Sequence, residues 1–311
     1  MSIALAGTED HPQARIVLSA ALEGDPSHAY LFHGPAGTGK RTVARSFAAE
    51  LLAAGQPDPD AVRLRVQHGT HPDLTWVRPS GAHVMRVEDV DQPVVAAATR
   101  TPFEASRRVF VLERVDTMND EVANRLLKTL EEPAHFVHLI LMTDALGRVL
   151  ETVVSRCQLV RFDPLPAARI AAVLEAEGID PDVAGACARL ALGNASRARL
   201  LASPEGAELR SEVDAFAGAG LDGEPGETWR PLLDRAERRR AEAEEAVAAA
   251  AVERLDLEPK GRERRAIEKE LEEAAKRDGR RARTEVLDLA LTLTGLAFRD
   301  LVCLAEQAPE A

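Results

Sequence analysis

Along the first half of the chain, short apolar runs alternate with stretches in which polar positions return at helical spacing. AYLFHG (29–34), LTWVR (74–78), RRVFVL (107–112), FVHLILMT (136–143) and CQLVRF (157–162) each have the length and composition of a buried strand. Helical patterns fill the gaps. One follows Gly39 through Leu52, and one covers VEDVDQPVVAAATR, where Pro93 interrupts the helix or forces it to start late. A third runs from about Asn119 to Glu131 and is stopped by Pro133. Apolar runs separated by helices predict a mostly parallel sheet covered on both faces.

After DPLP (163–166) the strands cease. Two or three short amphipathic helices reach about Leu201, and SPEGAEL opens a further all-helical region. GAGLDGEPGE (218–227) reads as a loop or linker. From Trp229 to about Arg277 the chain is a charge-rich helix, with a break expected near Pro259-Lys260-Gly261. Ile267, Leu271, Ala274 and Ala275 form a narrow stripe for a partner helix; Glu272–Lys276 and Glu273–Arg277 are spaced to support the exposed side. Acids and bases interleave there, which describes a solvated hairpin better than a nucleic-acid surface. A final apolar helix is VLDLALTLTGLAFRDLVCLA (286–305). The expected boundaries are 1–163 for the α/β domain, 164–204 for a small helical domain and 205–311 for an all-α domain.

Composition narrows the function. A hydrophobic share of 45% with 29% charged residues is that of a folded domain, and aromatics at 4% leave the core to Ala, Leu and Val. A net charge of −12 makes the chain a poor autonomous binder of polyanions. Cys157, Cys187 and Cys303 lie far apart, forming neither a disulfide framework nor a metal pair. The N-terminal stretch has no signal-peptide pattern, and no apolar run approaches the ~18 residues of a membrane helix. The expectation is a cytoplasmic protein with no membrane partner.

Candidate chemistry centres on GPAGTGK (34–40), which follows a strand and precedes a helix. Gly34, Gly37, Thr38 and Gly39 curl the backbone so that its N–H groups face phosphate, and Lys40 reaches the terminal phosphates. The residue after that lysine supplies a magnesium-ligating hydroxyl in the full motif; here it is Arg41, and Thr42 lies about 100° further round the helix. Two readings stay open: an ATP or ADP site that is weak or vestigial, and a working ATP site. At the end of the third strand Glu113 has the carboxylate to help hold magnesium, but Arg114 cannot accept the proton of an attacking water. Hydrolysis at this site is not expected.

HAYLFHGPAGTGK, HPDLTWV, RRVFVLERVD, ANRLLKTLEEP, LILMTD and VVSRCQLVRF occur in this order, and over about residues 10–200 the series resembles the bacterial clamp-loader branch of the AAA+ ATPases. The resemblance implies an AAA+ P-loop domain, a helical lid and a collar-type helical domain. It implies a largely non-hydrolysing subunit of a hetero-oligomeric ring. Its partners would be gamma/tau-type and delta-type subunits, with the sliding clamp and primed DNA met through the complex. It assigns Arg156 of SRC as an arginine finger acting on ATP held next door. Thr143 matches the polar sensor, with Asp144 standing where Asn or Ser is usual. Arg197 corresponds to the lid sensor arginine, against the plainer reading of a surface helix residue. It sets Glu131 and Glu132 near a subunit interface, where Lys128 is the simpler local compensation. Many relatives insert four cysteines where this chain has AAGQPDPDAVRLRVQHGT; His68 and His71 cannot make a tetrahedral site unaided, so no structural zinc is expected. The rival readings are a self-sufficient clamp-loader ATPase and a P-loop regulator outside replication.

Overall fold

A computed structural model describes residues 5–80, 84–223, 226–256 and 262–306. The chain divides into two compact units, Met1–Pro166 with Gly193–Ala195, and Ala167–Leu192 with Ser196–Ala311. The helices of the expected segments 164–204 and 205–311 thus fall largely in one unit.

Among the described residues the first unit holds five strands, β1 (Ala29–His33), β2 (Leu74–Val77), β3 (Arg108–Leu112), β4 (Val137–Thr143) and β5 (Gln158–Arg161). They form one sheet in the order β2-β3-β4-β1-β5, with every pairing parallel. All their C-terminal ends therefore share one edge. β4 lies at the centre and is buried along its whole length. Side-chain alternation sends Tyr30, Phe32, Val111, Ile140 and Met142 to one face, and Leu31, Phe110, Leu112, Leu139 and Leu141 to the other. The first face is covered by α1 (Pro12–Glu23), α2 (Lys40–Ala53) and α3 (Pro59–His68), through Leu18, Phe47, Leu51 and Val66. The second is covered by α4 (Val87–Val90), α5 (Asp120–Glu131) and α6 (Glu151–Val154), through Val90, Leu126, Leu130 and Val153.

Local signals explain the element ends. Asn119 caps α5 by accepting from the Val122 N–H at 3.0 Å, and Asp120 and Glu121 fill its first turn. The expected helix over VEDVDQPVVAAATR lasts only four residues as α4 before widening into a π-turn at Asp91–Ala96, with a 3₁₀ turn at Ala97–Thr99. Pro93 has no N–H to return to Asp89, so the regular helix stops there.

The second unit is helical: α7 (Ala167–Ala176), α8 (Pro181–Leu190), α9 (Ala195–Ala202, entering from the first unit), α10 (Pro204–Asp222), α11 (Arg230–Asp256) and α12 (Arg262–Ala305). Two expectations are corrected. The loop expected at 218–227 begins only after Asp222, because α10 ends on Gly223 in the left-handed conformation, φ 72°, while Gly218 and Gly220 stay helical. The final apolar helix is not separate: α12 runs unbroken for 44 residues, through Gly279. A Cβ at Gly279 would lie 2.5 Å from Glu244 Cγ, so this glycine permits close helix contact rather than a break. Arg283 pairs with Glu237 at 2.6 Å, which with the 279–244 contact makes α11 and α12 antiparallel. Lys276–Glu272 at 2.5 Å and Arg277–Glu273 at 3.9 Å form as expected, and Leu271, Ala274 and Ala275 are half-buried. The break expected at Pro259-Lys260-Gly261 and the side chain of Ile267 lie outside the described residues. No helix among the described residues is long and apolar enough to cross a membrane.

Candidate functional site

The C-terminal edge of the sheet gathers the loop residues. β1 runs into Gly34, whose φ of 143° and position leave no room for a side chain: a Cβ would lie 1.9 Å from the Phe162 carbonyl oxygen. Gly37, at φ 75°, faces Asn194 at the same distance of 1.9 Å. Thr38 is buried; its hydroxyl donates to Pro35 O at 2.9 Å, and its carbonyl accepts from His11 Nε2 at 2.6 Å. Gly39, left-handed at φ 84°, caps α2, so the helix N-terminus opens on the loop.

Lys40 is fully engaged within the chain. Its Nζ donates to Gly34 O at 2.5 Å and Pro35 O at 2.7 Å, and pairs with Asp144 Oδ1 at 2.7 Å. An ammonium has three protons, and these three acceptors use them all. Only 7% of the lysine side chain is exposed, against 46% of Asp144.

Beside it, Arg41 donates from Nη2 to Glu113 Oε2 at 2.5 Å. Glu113 also accepts from Trp76 Nε1 at 2.5 Å and Arg78 Nε at 3.2 Å, and Arg45 lies 4.7 Å over the Trp76 ring. Burial pushes the Glu113 carboxyl upward, but the hydrogen bonds from Arg41 and Trp76 and the charges of Arg41 and Arg78 outweigh it and hold it below the usual range. Arg41, at the hydroxyl position, thus neutralises Glu113, the carboxylate that the sequence offered for magnesium. Thr42 is exposed and packs toward Gly7, apart from this cluster. Arg114 is left-handed, φ 54°, and its carbonyl accepts from the Thr117 hydroxyl at 2.7 Å. Thr143 donates to Asp116 Oδ1 at 2.8 Å and accepts from the Ala145 N–H at 3.0 Å. Magnesium-bound ATP does not fit these residues as they stand: the hydroxyl ligand is an arginine, the acid is paired, and the lysine is taken by Asp144.

Asp144, Asp116, Trp76 and Asn194 belong to this site and carried no assigned role in the sequence. The one available signal was Asp144 itself, an acid directly after Thr143 at the edge that holds Lys40. Among the described residues no group of three or more His, Cys, Asp or Glu is placed to hold a metal. His71 is buried, with Nδ1 accepting from the Asp73 N–H at 3.2 Å and Nε2 lying 3.1 Å from Glu104 Oε1.

Arg156 sits elsewhere, between α6 and β5 at the N-terminal edge of the sheet. Its Nη2 donates to Glu131 Oε1 at 2.6 Å and its Nη1 to Thr152 O at 2.9 Å and Ser155 Oγ at 3.3 Å. The guanidinium side chain is 34% exposed and that of Glu131 48%. Arg156, rather than Lys128, is the ion-pair partner found for Glu131. Burial pushes the neighbouring Cys157 thiol up to about 12, so it stays protonated. Strands of four to seven residues separate this edge from the loop, roughly 13–23 Å at about 3.3 Å per residue. Arg197 lies half-buried on α9, in the second unit.

The family described as DNA polymerase III, delta subunit, matches residues 11–166. The delta' subunit of DNA polymerase III from Bacillus subtilis is 32% identical over 210 residues, covering 66% of this chain and 63% of that one. The delta' subunit from Pseudomonas aeruginosa is 39% identical over 148 residues, covering 46% and 44%. The tau subunit from Bacillus subtilis is 32% identical over 151 residues, covering 47% and 26%. The chain therefore spans less than two-thirds of the length of each of these relatives.

Proposed function

The chain belongs to the DNA polymerase III delta-subunit family, and from that premise we propose that it is a clamp-loader subunit of the delta-prime type. In this reading it is a cytoplasmic, largely non-hydrolysing member of a hetero-oligomeric ring. The gamma/tau-type partners bind and split ATP, and a delta-type subunit completes the ring. The sliding clamp and primed DNA are met through the complex. Residues 164–204 act as the lid and 205–311 as the collar domain. The loop at Lys40 is a weak or vestigial ATP or ADP site, and Thr143 and Arg197 are remnants of its sensors.

Arg156 is the chain's contribution to chemistry. The observation that supports it is placement: Arg156 lies at the opposite edge of the sheet from Lys40, Glu113 and Thr143, so it cannot serve its own loop. It is partly exposed and oriented by Glu131. A guanidinium brought to a neighbour's γ-phosphate stabilises charge in phosphoryl transfer, worth roughly 10³–10⁵ in rate. That is about 4–7 kcal/mol of barrier.

The test is ATP turnover by the loader reconstituted from this chain, its ATPase partners, clamp and primed DNA, with wild type or Arg156→Ala. A fall of about 10³-fold or more, in a complex that co-elutes intact, is expected. Unchanged turnover in an intact complex overturns the finger. Turnover by the isolated chain overturns the non-hydrolysing reading and favours a self-sufficient ATPase. Absence of any affinity for the ATPase subunits favours a regulator outside replication.

A further inference from the structure

We infer that Asp144 is an internal lock on the phosphate loop: its carboxylate takes the place on Lys40 that a terminal phosphate takes in loops of this kind. The inference rests on the weak-site reading above and names its cause. The backbone cradle itself is intact. Gly34, Gly37 and Gly39 hold positive φ angles, and the 14-residue helix α2 presents its N-terminus to the loop. What is spent is the charge. Lys40 gives two protons to Gly34 O and Pro35 O and the third to Asp144 at 2.7 Å. A triphosphate entering the cradle meets no free ammonium proton and a carboxylate of its own sign.

The lock is placed so that it can be opened. Asp144 is 46% exposed while Lys40 is 7% exposed, so the acid lies at the mouth and the base at the floor. Replacing Asp144 by Asn keeps the shape and removes the negative charge, leaving Lys40 a neutral amide oxygen that a phosphate displaces more readily. The metal side stays closed, because Arg41 and Glu113 remain paired at 2.5 Å. The ligand class of the opened site is therefore a polyphosphate bound without a divalent ion, recognised by phosphate groups rather than by a base.

The experiment is calorimetric titration of the full chain with ATP and with inorganic tripolyphosphate, each in magnesium and in EDTA. Wild type is expected to give no binding at millimolar ligand. Asp144→Asn is expected to bind both ligands at least ~10-fold more tightly, as removal of a like charge near phosphate requires. That gain should be equal in magnesium and EDTA, and Lys40→Ala in the Asp144→Asn background should abolish it. Asp144→Ser carries the same expectation should the Asn variant fold poorly. Wild-type binding as tight as that of the variant overturns both the lock and the weak-site reading. If the well-folded variants bind neither ligand, the lock is overturned and the weak-site reading stands. A gain that needs magnesium overturns the closed metal side.

Discussion

At the C-terminal edge of the sheet Glu113 is held by Arg41, Trp76 and Arg78 with 6% of its side chain exposed; at the N-terminal edge Glu131 is held by Arg156 with 48% exposed. Both are arginine–glutamate pairs with bonds of 2.5–2.6 Å. Burial separates them. A desolvated carboxylate with three donors cannot exchange partners without leaving charge stranded, so the first pair is architecture. A pair open to water loses little when it parts, so the second can offer its guanidinium to another anion. One sheet thus carries a closed electrostatic site at one edge and an exchangeable one at the other.

The largest effect that would sharpen this contrast is the one that the proposed clamp-loader role requires of a reconstituted complex. Arg156→Ala should cost about 10³-fold or more in turnover. The same variant should move the isolated chain's stability by less than about 1 kcal/mol, read from urea unfolding. Next comes Glu113→Ala, which leaves the Trp76 N–H and two half-exposed guanidinium groups without their shared acceptor. A loss of about 3 kcal/mol is expected, at the low end for a buried pair because Arg41 is half-exposed. If Glu113→Ala and Glu131→Ala shift the unfolding midpoint equally, the contrast between the edges collapses.

A pH series probes the same difference more gently. The folded Glu113 carboxyl titrates below its ordinary value of 4.5, so its stabilisation is complete above that value and is lost as pH falls through the lowered one. Glu113→Gln should flatten the acid limb of stability against pH. The smallest effect belongs to His138. Burial lowers its pKa from 6.5, outweighing the Ser27 backbone bond that raises it. The unfolded chain therefore binds more protons below about pH 6.5, and stability should decline there. His138→Gln should reduce that decline if the Ser27 carbonyl keeps a donor.

Much of this architecture was legible because burial leaves a local imprint. Five strands announced themselves as apolar runs, and α5 was bracketed by Asn119 and Pro133. The helical region was read less well where glycine was taken as punctuation. Gly218 and Gly220 sit inside α10, which ends only on Gly223. In the site, Lys40, Arg41, Glu113 and Thr143 were found by their positions at strand and helix ends. Their partners were not, since Asp144, Asp116, Trp76 and Asn194 are set by the order of strands in the sheet, which no local pattern encodes.

The glycine spacing that marks the loop has a bearing on how such signatures are read in genomes. Gly34 is required by the Phe162 carbonyl and Gly37 by the Asn194 amide, both groups of the protein itself. A chain folded this way must keep those glycines whether or not phosphate ever arrives, because the crowding that demands them is present in the bare fold. The signature is therefore a record of how a strand turns into a helix beside two neighbours. Its chemistry is written in the positions the pattern leaves loose, here Arg41 and, a hundred residues away, Asp144.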